Sequence, residues 1–261
     1  MEASGRFGML VHQAVSFSRV MTHIPRADAV FFPGCALLTY DPALLQRVMT
    51  LLSKEEPDIA LAVGCCGQPT KYLEPARFAG RSEKLKRLFL KRGVCRVYTA
   101  CPNCTRLLSN LHCASIIPVW ETLNRLVTAD DLRDNGDKTF ALHDPCPVRQ
   151  DIAQQDAVRA LLQKANVDVA EFPKNRAQTA CCGNVAMLRA TDPEKSAALR
   201  TARLCEIRPD LPVTSYCAGC VDAFSSGGRE TVHLVELLFG KSKSRGWGNR
   251  IRSTLLSRRD S

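Results

Sequence analysis

The sequence predicts an α/β protein built from two pseudo-symmetric repeats, each a set of parallel strands with flanking helices. Short apolar runs typical of buried strands alternate along the chain with longer amphipathic stretches typical of helices. An Asp-Pro pair opens one helical stretch in each half, at residues 41–42 and 192–193, and favours a helix start there. Ten of the thirteen cysteines form one pattern that occurs twice, which indicates an internal duplication.

The predicted elements follow the same order in both halves. In the first half, helices are expected at 9–21, 43–52, 76–92 and 105–111, and strands at 28–32, 59–63 and 95–100. In the second half, strands are expected at 139–142, 167–171 and 213–216, and helices at 156–165, 193–207 and 221–225. Gly93 follows the third helix and is expected to end it.

Four segments are predicted along the 261 residues. They are an N-terminal helix at 1–27, a first repeat at 28–129, a second repeat at 139–240 and a basic tail at 241–261. Asn135-Gly136 is typical of a turn and marks the linker between the repeats. The length suits one large domain or two modules of about 100–150 residues.

Composition excludes several classes of protein. A content of 45% hydrophobic and 24% charged residues is ordinary for a globular chain, and no low-complexity tract occurs. The apolar runs are shorter than the roughly 20 residues that cross a bilayer, and the N-terminus lacks the pattern of a signal peptide. We therefore expect a cytoplasmic protein, in which thiols stay reduced and thirteen cysteines point to metal rather than disulfides.

The duplicated pattern consists of a lead cysteine, an adjacent pair and a C-x-x-C motif. The first set is Cys35, Cys65, Cys66, Cys101 and Cys104, and the second set is Cys146, Cys181, Cys182, Cys217 and Cys220. An offset of 116 residues relates four of the five positions, for example Cys65 to Cys181, and only the lead cysteines differ, at 111. Scattered core cysteines do not produce such spacing.

The residues around the cysteines repeat as well. Gly67 and Gly183 follow the two adjacent pairs, and glycine lets main-chain N–H groups approach a sulfur closely. The lead cysteines lie in proline turns, Pro33-Gly34-Cys35 and His143-Asp144-Pro145-Cys146. Each C-x-x-C lies between a strand-like run and a helical pattern, where the helix N-terminus stabilises a thiolate.

Sets of cysteines offer soft thiolate ligands, which suit zinc or iron–sulfur clusters. A structural zinc ion takes four ligands, whereas each set has five, including an adjacent pair that reaches different atoms of a larger cluster more readily. Buried thiols and zinc ligands remain the alternatives. The G-x-G-x-x-G loop of nucleotide-binding proteins is absent, so electrons are expected to come from a partner.

These motifs resemble the cysteine-rich CCG family, found in the B-type component of heterodisulfide reductases and in components of glycolate, lactate and glycerol-3-phosphate oxidising complexes. The resemblance extends over about residues 31–240. It implies two [4Fe-4S] clusters of the noncubane type, one held by each set of five cysteines, that together face a disulfide and split it reductively. It also implies a small-molecule disulfide or thiol substrate and a partner protein that carries electrons on iron–sulfur or flavin.

Three functions remain open at this stage. The leading hypothesis is an oxidoreductase subunit that cleaves or forms a disulfide, because that reaction moves two electrons and each cluster passes one. The second is an electron relay in a lactate- or glycolate-type dehydrogenase complex, and the third is a redox-sensing or assembly protein. His143 is the catalytic candidate, donating a proton or a hydrogen bond to sulfur; a structural hydrogen bond explains it equally well.

The net charge of +10 concentrates in the helix at 76–92 and in the tail. The helix suits an acidic ferredoxin-like partner, while a solvated helix face and a frayed tail explain the charge as well. Nucleic-acid binding is not expected, because aromatic residues make up only 6% and no motif accompanies the charge. The tail's apolar residues also suit a short helix on a membrane surface or partner. Cysteines outside the pattern are expected to be small buried residues: Cys95, Cys113 and Cys205.

Overall fold

The computed structural model describes residues 5–259 and resolves them into two compact units. The outermost ends of the predicted N-terminal helix and tail, residues 1–4 and 260–261, lie outside the described residues. The first unit contains the chain up to Val119 and again from Ser242 onward, and the second is Trp120–Lys241. In the described range, every helix is too short or too polar to cross a bilayer.

A four-stranded parallel sheet forms the centre of the first unit, in the order β2-β1-β3-β4. The strands are β1 (Ala29–Phe32), β2 (Ala60–Leu61), β3 (Arg96–Thr99) and β4 (Ser115–Pro118). The helices are α1 (Arg6–Ser16), α2 (Pro42–Leu52), α3 (Gln68–Leu73), α4 (Pro75–Arg92) and α5 (Pro102–Ser109). Helix α6 (Val119–Leu126) begins where this unit ends.

The second unit repeats this sheet order as β6-β5-β7-β8, again with parallel strands. The strands are β5 (Lys138–Leu142), β6 (Val167–Glu171), β7 (Val213–Ser215) and β8 (Thr231–His233). The helices are α7 (Ile152–Lys164), α8 (Leu188–Thr191), α9 (Pro193–Leu204), α10 (Ala218–Ser225) and α11 (Leu234–Phe239). Two four-stranded parallel sheets with flanking helices confirm the predicted fold class.

Local sequence signals account for most helix boundaries. The Asp41 carboxylate accepts the Ala43 N–H at 3.0 Å at the start of α2, and Asp192 accepts the Lys195 N–H at 3.0 Å at the start of α9. Gly93 adopts φ +73° and ends α4. These three boundaries lie where the sequence places them.

Several predicted boundaries are wrong by a few residues. Helix α1 ends at Ser16 rather than at residue 21, and α7 begins at Ile152 because the Asp151 carboxylate caps the Gln154 N–H at 3.0 Å. The strand expected at 59–63 is only Ala60–Leu61, since Val63 forms an antiparallel bridge with His23 instead. The fourth strand of each sheet was not predicted.

The tail forms helix α12 (Trp247–Arg259), so the interpretation as a frayed segment is wrong. This helix buries a polar face consisting of Asn249, Arg250, Ser253, Thr254 and Ser257. Its apolar side chains Ile251 and Leu255 remain 49% and 53% exposed. Hydrogen bonds therefore dock it on the first unit: Ser257 Oγ donates to the Leu61 carbonyl and Asn249 Nδ2 to the Thr39 carbonyl.

Candidate metal centres

The first set of cysteines lies at the carboxyl ends of the strands in the first unit, and we call it the first site. Cys35 follows β1, the pair Cys65-Cys66 follows β2, and Cys101 follows β3 as the N-cap of α5. Cys104 belongs to the first turn of α5. Because the strands are parallel, these ends meet at one edge of the sheet, where ligands bind in open α/β folds.

The second set occupies the equivalent positions in the second unit, and we call it the second site. Cys146 follows β5, and Cys217 follows β7 as the N-cap of α10, with Cys220 in the first turn. The pair Cys181-Cys182 follows β6 after a longer loop that contains a 3-10 turn. The structure therefore gathers each set within its own unit.

Direct thiol contacts run through both sets in the same order. In the first site, side-chain hydrogen bonds connect Cys35 to Cys65, Cys65 to Cys66, Cys66 to Cys104 and Cys104 to Cys101. In the second site, they connect Cys146 to Cys181, Cys181 to Cys182, Cys182 to Cys220 and Cys220 to Cys217. These contacts join the five sulfurs of each set into one continuous chain.

The pKa of one thiol in each site is lowered by its neighbours. Hydrogen bonds from Cys35 and Cys66 hold the pKa of Cys65 well below its ordinary value, and those from Cys146 and Cys182 lower the pKa of Cys181 to about 2. The main chain adds a donor, because the Gly67 N–H lies 3.5 Å from Cys65 Sγ and the Gly183 N–H lies 3.2 Å from Cys181 Sγ. The expected approach of N–H groups to sulfur after each pair is confirmed.

Glycine is required for close packing at two points of these sites. Gly34 adopts φ +92°, and a Cβ there would lie 2.9 Å from Cys101 Cβ and 3.1 Å from Cys104 Sγ. Gly183 adopts φ +94°, and a Cβ there would overlap the Ser196 carbonyl oxygen. Neither position therefore has room for a side chain.

This donor set fits a soft, thiolate-ligated metal group. Five sulfurs are connected by pairwise contacts in each site, which exceeds the four ligands of a structural zinc ion. Six of the ten side chains are buried: Cys65, Cys66, Cys104, Cys182, Cys217 and Cys220. Buried thiolates need a cation to compensate their charge, and a thiolate-ligated metal group would supply it.

His143 adds a nitrogen to the second site, where its ring and the sulfurs of Cys182 and Cys220 offer ligand atoms within 4.8 Å of one another. Burial and the Arg203 charge lower the His143 pKa to about 3, so the ring is neutral. Arg203 Nε donates to His143 Nδ1 at 3.4 Å. Arginine cannot accept a hydrogen bond, so this contact assigns the ring proton to Nε2. A hydrogen bond to sulfur therefore fits the ring better than donation of a proton from an imidazolium.

The neighbouring Asp144 was not predicted as a site residue, yet it anchors the turn before Cys146. Its buried carboxylate accepts from Arg159 Nη2 at 2.8 Å, from the Tyr216 hydroxyl at 2.9 Å and from the Arg176 N–H at 3.0 Å. Burial raises its pKa, but the hydrogen bond and charge of Arg159 outweigh this, and the net pKa is lowered. In the sequence, the place of Asp144 in the His143-Asp144-Pro145 turn was the signal that could have identified it.

Two residues from outside the repeats reach the first site and were also not predicted. Gln13 of α1 is fully buried, and its Nε2 lies 3.6 Å from Cys65 Sγ. Arg250 of α12 is fully buried as well, with Nη1 donating to Ser16 Oγ at 2.8 Å. Neither residue belongs to the duplicated pattern, so the comparison of the two halves could not reveal them.

The three remaining cysteines lie outside both sets of thiol contacts. The expectation that they are buried is wrong for Cys95 and Cys205, which are exposed, while Cys113 is half-buried. Cys95 precedes β3 at the amino end of the strand, away from the edge that carries the first site, and Cys205 is the C-cap of α9. Both positions turn the side chain to solvent.

Comparison with known proteins supports the duplication. The CCG cysteine-rich domain matches residues 29–109 and again residues 140–225. The D-type component of the dihydromethanophenazine:CoB--CoM heterodisulfide reductase of Methanosarcina mazei is 24% identical over 228 residues, covering 80% of this chain. The chain spans only 56% of the length of that relative. A solute-binding protein of an ABC transporter system from Conexibacter woesei covers 86% of this chain and 72% of its own at 14% identity, but its TM-score of 0.26 carries no inference.

Proposed function

This chain belongs to the CCG cysteine-rich domain family, and we propose that it is an iron–sulfur oxidoreductase subunit acting on disulfides. In this proposal, each set of five cysteines holds one [4Fe-4S] cluster of the noncubane type. The reaction is the reductive cleavage of a small-molecule disulfide to two thiols, or its reverse. A partner protein that carries iron–sulfur or flavin supplies or removes the electrons.

The observation that carries this proposal is the matched order of thiol contacts in the two sites. A single electron-transfer centre needs one set of ligands, whereas this chain keeps two complete sets in identical strand-end positions. Cleavage of a disulfide consumes two electrons, and two one-electron centres match that requirement. The relative from Methanosarcina mazei is by name part of a heterodisulfide reductase, which agrees with this chemistry.

The residues around the sites have separable roles in this proposal. When bound, an iron–sulfur cluster supplies one-electron transfer and iron that interacts with sulfur. Gly67 and Gly183 donate main-chain N–H groups to ligand sulfurs, and hydrogen bonds of this kind favour the reduced form. Asp144 orients the turn that presents Cys146, and the neutral His143 ring lies beside the sulfurs of Cys182 and Cys220 in the second site.

Helix α4 is the surface that we propose for docking the electron carrier. Lys84, Arg87 and Lys91 line one groove together with Glu83, while Arg77 and Arg81 pair with Glu74. The basic side chains of the helix are Arg77, Arg81, Lys84, Lys86, Arg87, Lys91 and Arg92. Arg81 and Lys84 line the same small cavity as Cys65, so this basic surface begins next to the first site. An acidic protein such as a ferredoxin fits such a surface by charge complementarity.

Charge reversal at Lys84 and Lys91, both exposed on α4, tests this docking. We expect the double variant K84E/K91E to bind an acidic ferredoxin at least tenfold more weakly in low salt, and wild-type binding to weaken as salt rises. The matched control is K138E/K174E, which makes the same change at two exposed lysines of the second unit. Equal losses in both variants, or binding insensitive to salt, would contradict docking on α4.

Disulfide turnover with a reduced one-electron dye tests the reaction itself. Three anaerobically reconstituted proteins are compared: wild type, C66A/C104A, which disables the first site, and C182A/C220A, which disables the second. We expect wild type to release two thiols per disulfide and both variants to lose turnover while their remaining cluster still accepts an electron from the dye. EPR spectra of wild type should also change when the disulfide is added.

The outcomes separate this function from the electron relay. Fast reduction of the clusters by a hydroxy-acid dehydrogenase, with no thiol released and no EPR change on adding disulfides, would favour the relay. Full turnover in either single-site variant would contradict the requirement for both sets of cysteines. Iron-free protein would overturn the proposal altogether.

A further inference from the structure

Arg250 is the least compensated buried charge that the structure describes near the first site. Its side chain is fully buried in α12, and Nη1 has neutral neighbours, Ser16 Oγ at 2.8 Å and His12 Nε2 at 3.4 Å. The Trp247 ring lies 4.9 Å from its guanidinium carbon. Within residues 5–259, its Nε and Nη2 have no hydrogen-bond partner. A buried guanidinium without a carboxylate is costly, which calls for an anion nearby.

The cysteines of the first site, as thiolates, are the candidate anionic partners of the Arg250 guanidinium. Arg250 is connected to this site through α1, because its Nη1 contacts Ser16 and His12 while Nε2 of the neighbouring Gln13 lies 3.6 Å from Cys65 Sγ. A cluster with several thiolate ligands is normally anionic. The buried cation and the anionic group would then compensate each other.

Gln13 contacts the same side of the first site. Arg81 donates to Thr70 Oγ1 at 2.6 Å, and the Thr70 hydroxyl donates to Gln13 Oε1 at 2.7 Å. The Nε2 group of the amide lies 3.0 Å from His12 Nδ1 and 3.6 Å from Cys65 Sγ. Gln13 and Arg250 come from α1 and α12, which both lie outside the segments that the family shares.

The buried arginine of the second unit offers a contrast. Arg203 is 1% exposed and lies near Cys182, but its Nη1 pairs with the Glu206 carboxylate at 2.5 Å. Its charge is therefore already neutralised within the protein, whereas the charge of Arg250 is not.

We propose that Arg250, supported by Gln13, is a positioning residue that compensates the negative charge of a cluster in the first site and raises its reduction potential above that of the second site. This inference rests on the proposed function, since it requires a cluster bound by the first set of cysteines. A positive charge stabilises the reduced state, which carries one more electron, more than the oxidised state.

The test is an EPR-monitored redox titration of full-length R250M in the C182A/C220A background, where only the first site can hold iron. At a fixed solution potential, we expect the ratio of reduced to oxidised cluster to fall about tenfold. This is equivalent to a decrease of about 59 mV in the reduction potential of a one-electron couple. R250K keeps the charge and should stay close to the parent. The matched control is R252M, which removes an exposed charge from the same helix and should leave the ratio unchanged.

One further comparison and one replacement variant complete the test. R250M in the C66A/C104A background, where only the second site holds iron, should titrate like its parent. If circular dichroism shows that R250M does not fold, R250Q against R250K answers the same question. An unchanged potential in a folded, iron-loaded R250M or R250Q overturns the inference while leaving the proposed function intact, whereas a parent without iron in the first site overturns the proposed function.

Discussion

The two units place five cysteines on the same framework but surround them differently. In the first unit, α1 brings Gln13 to Cys65, and α12 brings Arg250 to α1, where it has no carboxylate partner among the described residues. In the second unit, the surroundings come from the repeat itself, with His143 and Asp144 before the lead cysteine and Arg203 paired with Glu206. Duplication therefore preserved the ligands while the environment of each site diverged.

This difference indicates that ligand pattern and electronic tuning are separate properties of the fold. The strand ends and the glycines that follow the cysteine pairs position the sulfurs in both units. In the first unit, further polar and charged side chains come from segments outside the repeat, and such groups tune a reduction potential.

Removing ligands should have the largest effect and should act on one site at a time. We expect C66A/C104A and C182A/C220A each to halve the iron content of the reconstituted protein, from about eight to about four atoms per chain. The measurement is iron analysis of the anaerobic protein. Loss of all iron from either variant would show that the two sites do not bind independently.

Crowding at Gly34 should disable the first site almost as strongly. A methyl group there would lie 2.9 Å from Cys101 Cβ, so we expect G34A in the C182A/C220A background to lose at least half of its iron. The control is G136A, because Gly136 also has a positive φ, +62°, but nothing within 4 Å of the added Cβ. Full iron loading in G34A would show that the site tolerates a wider turn than the structure describes.

Neutralising Asp144 should destabilise the second unit. D144N weakens a buried ion pair with Arg159 and is expected to lower the free energy of unfolding by about 3 kcal/mol. The same change in the exposed pair of Asp156 with Arg176, D156N, should cost less than about 1 kcal/mol. Chemical denaturation measures both, and similar losses in the two variants would argue against a structural role for the buried carboxylate.

The smallest effect is a pH dependence from His23 in the first unit. Burial, followed by the charges of Arg258 and Arg92, lowers the pKa of His23 below its ordinary value. The unfolded chain therefore binds a proton first, and stability is lost as the pH falls below about 6.5. The melting temperature of wild type minus that of H23Q should be constant above pH 7 and decrease towards pH 5. Parallel curves over that range would contradict the assignment.

Much of the fold and the convergence of the cysteines could be predicted from local rules. Asp-Pro starts, Gly93 and the spacing of the two cysteine sets each act over a few residues or repeat along the chain, so the sequence carries them directly. A short helix in the tail was one of the interpretations, but its packing could not be predicted in this way, since α12 buries polar residues and exposes Ile251 and Leu255, opposite to the usual amphipathic rule. Arg250 was therefore interpreted as one more surface charge of a basic tail, when its partners come from a helix more than 230 residues earlier in the chain.

The central claim is that each set of five cysteines holds its own iron–sulfur cluster. Quantifying iron, acid-labile sulfide and zinc in wild-type protein reconstituted without oxygen tests this most directly. We expect about eight iron atoms and a comparable amount of sulfide per chain, with brown colour. A colourless, natively folded protein that contains stoichiometric zinc, or whose thiols are all freely alkylated, would contradict the claim.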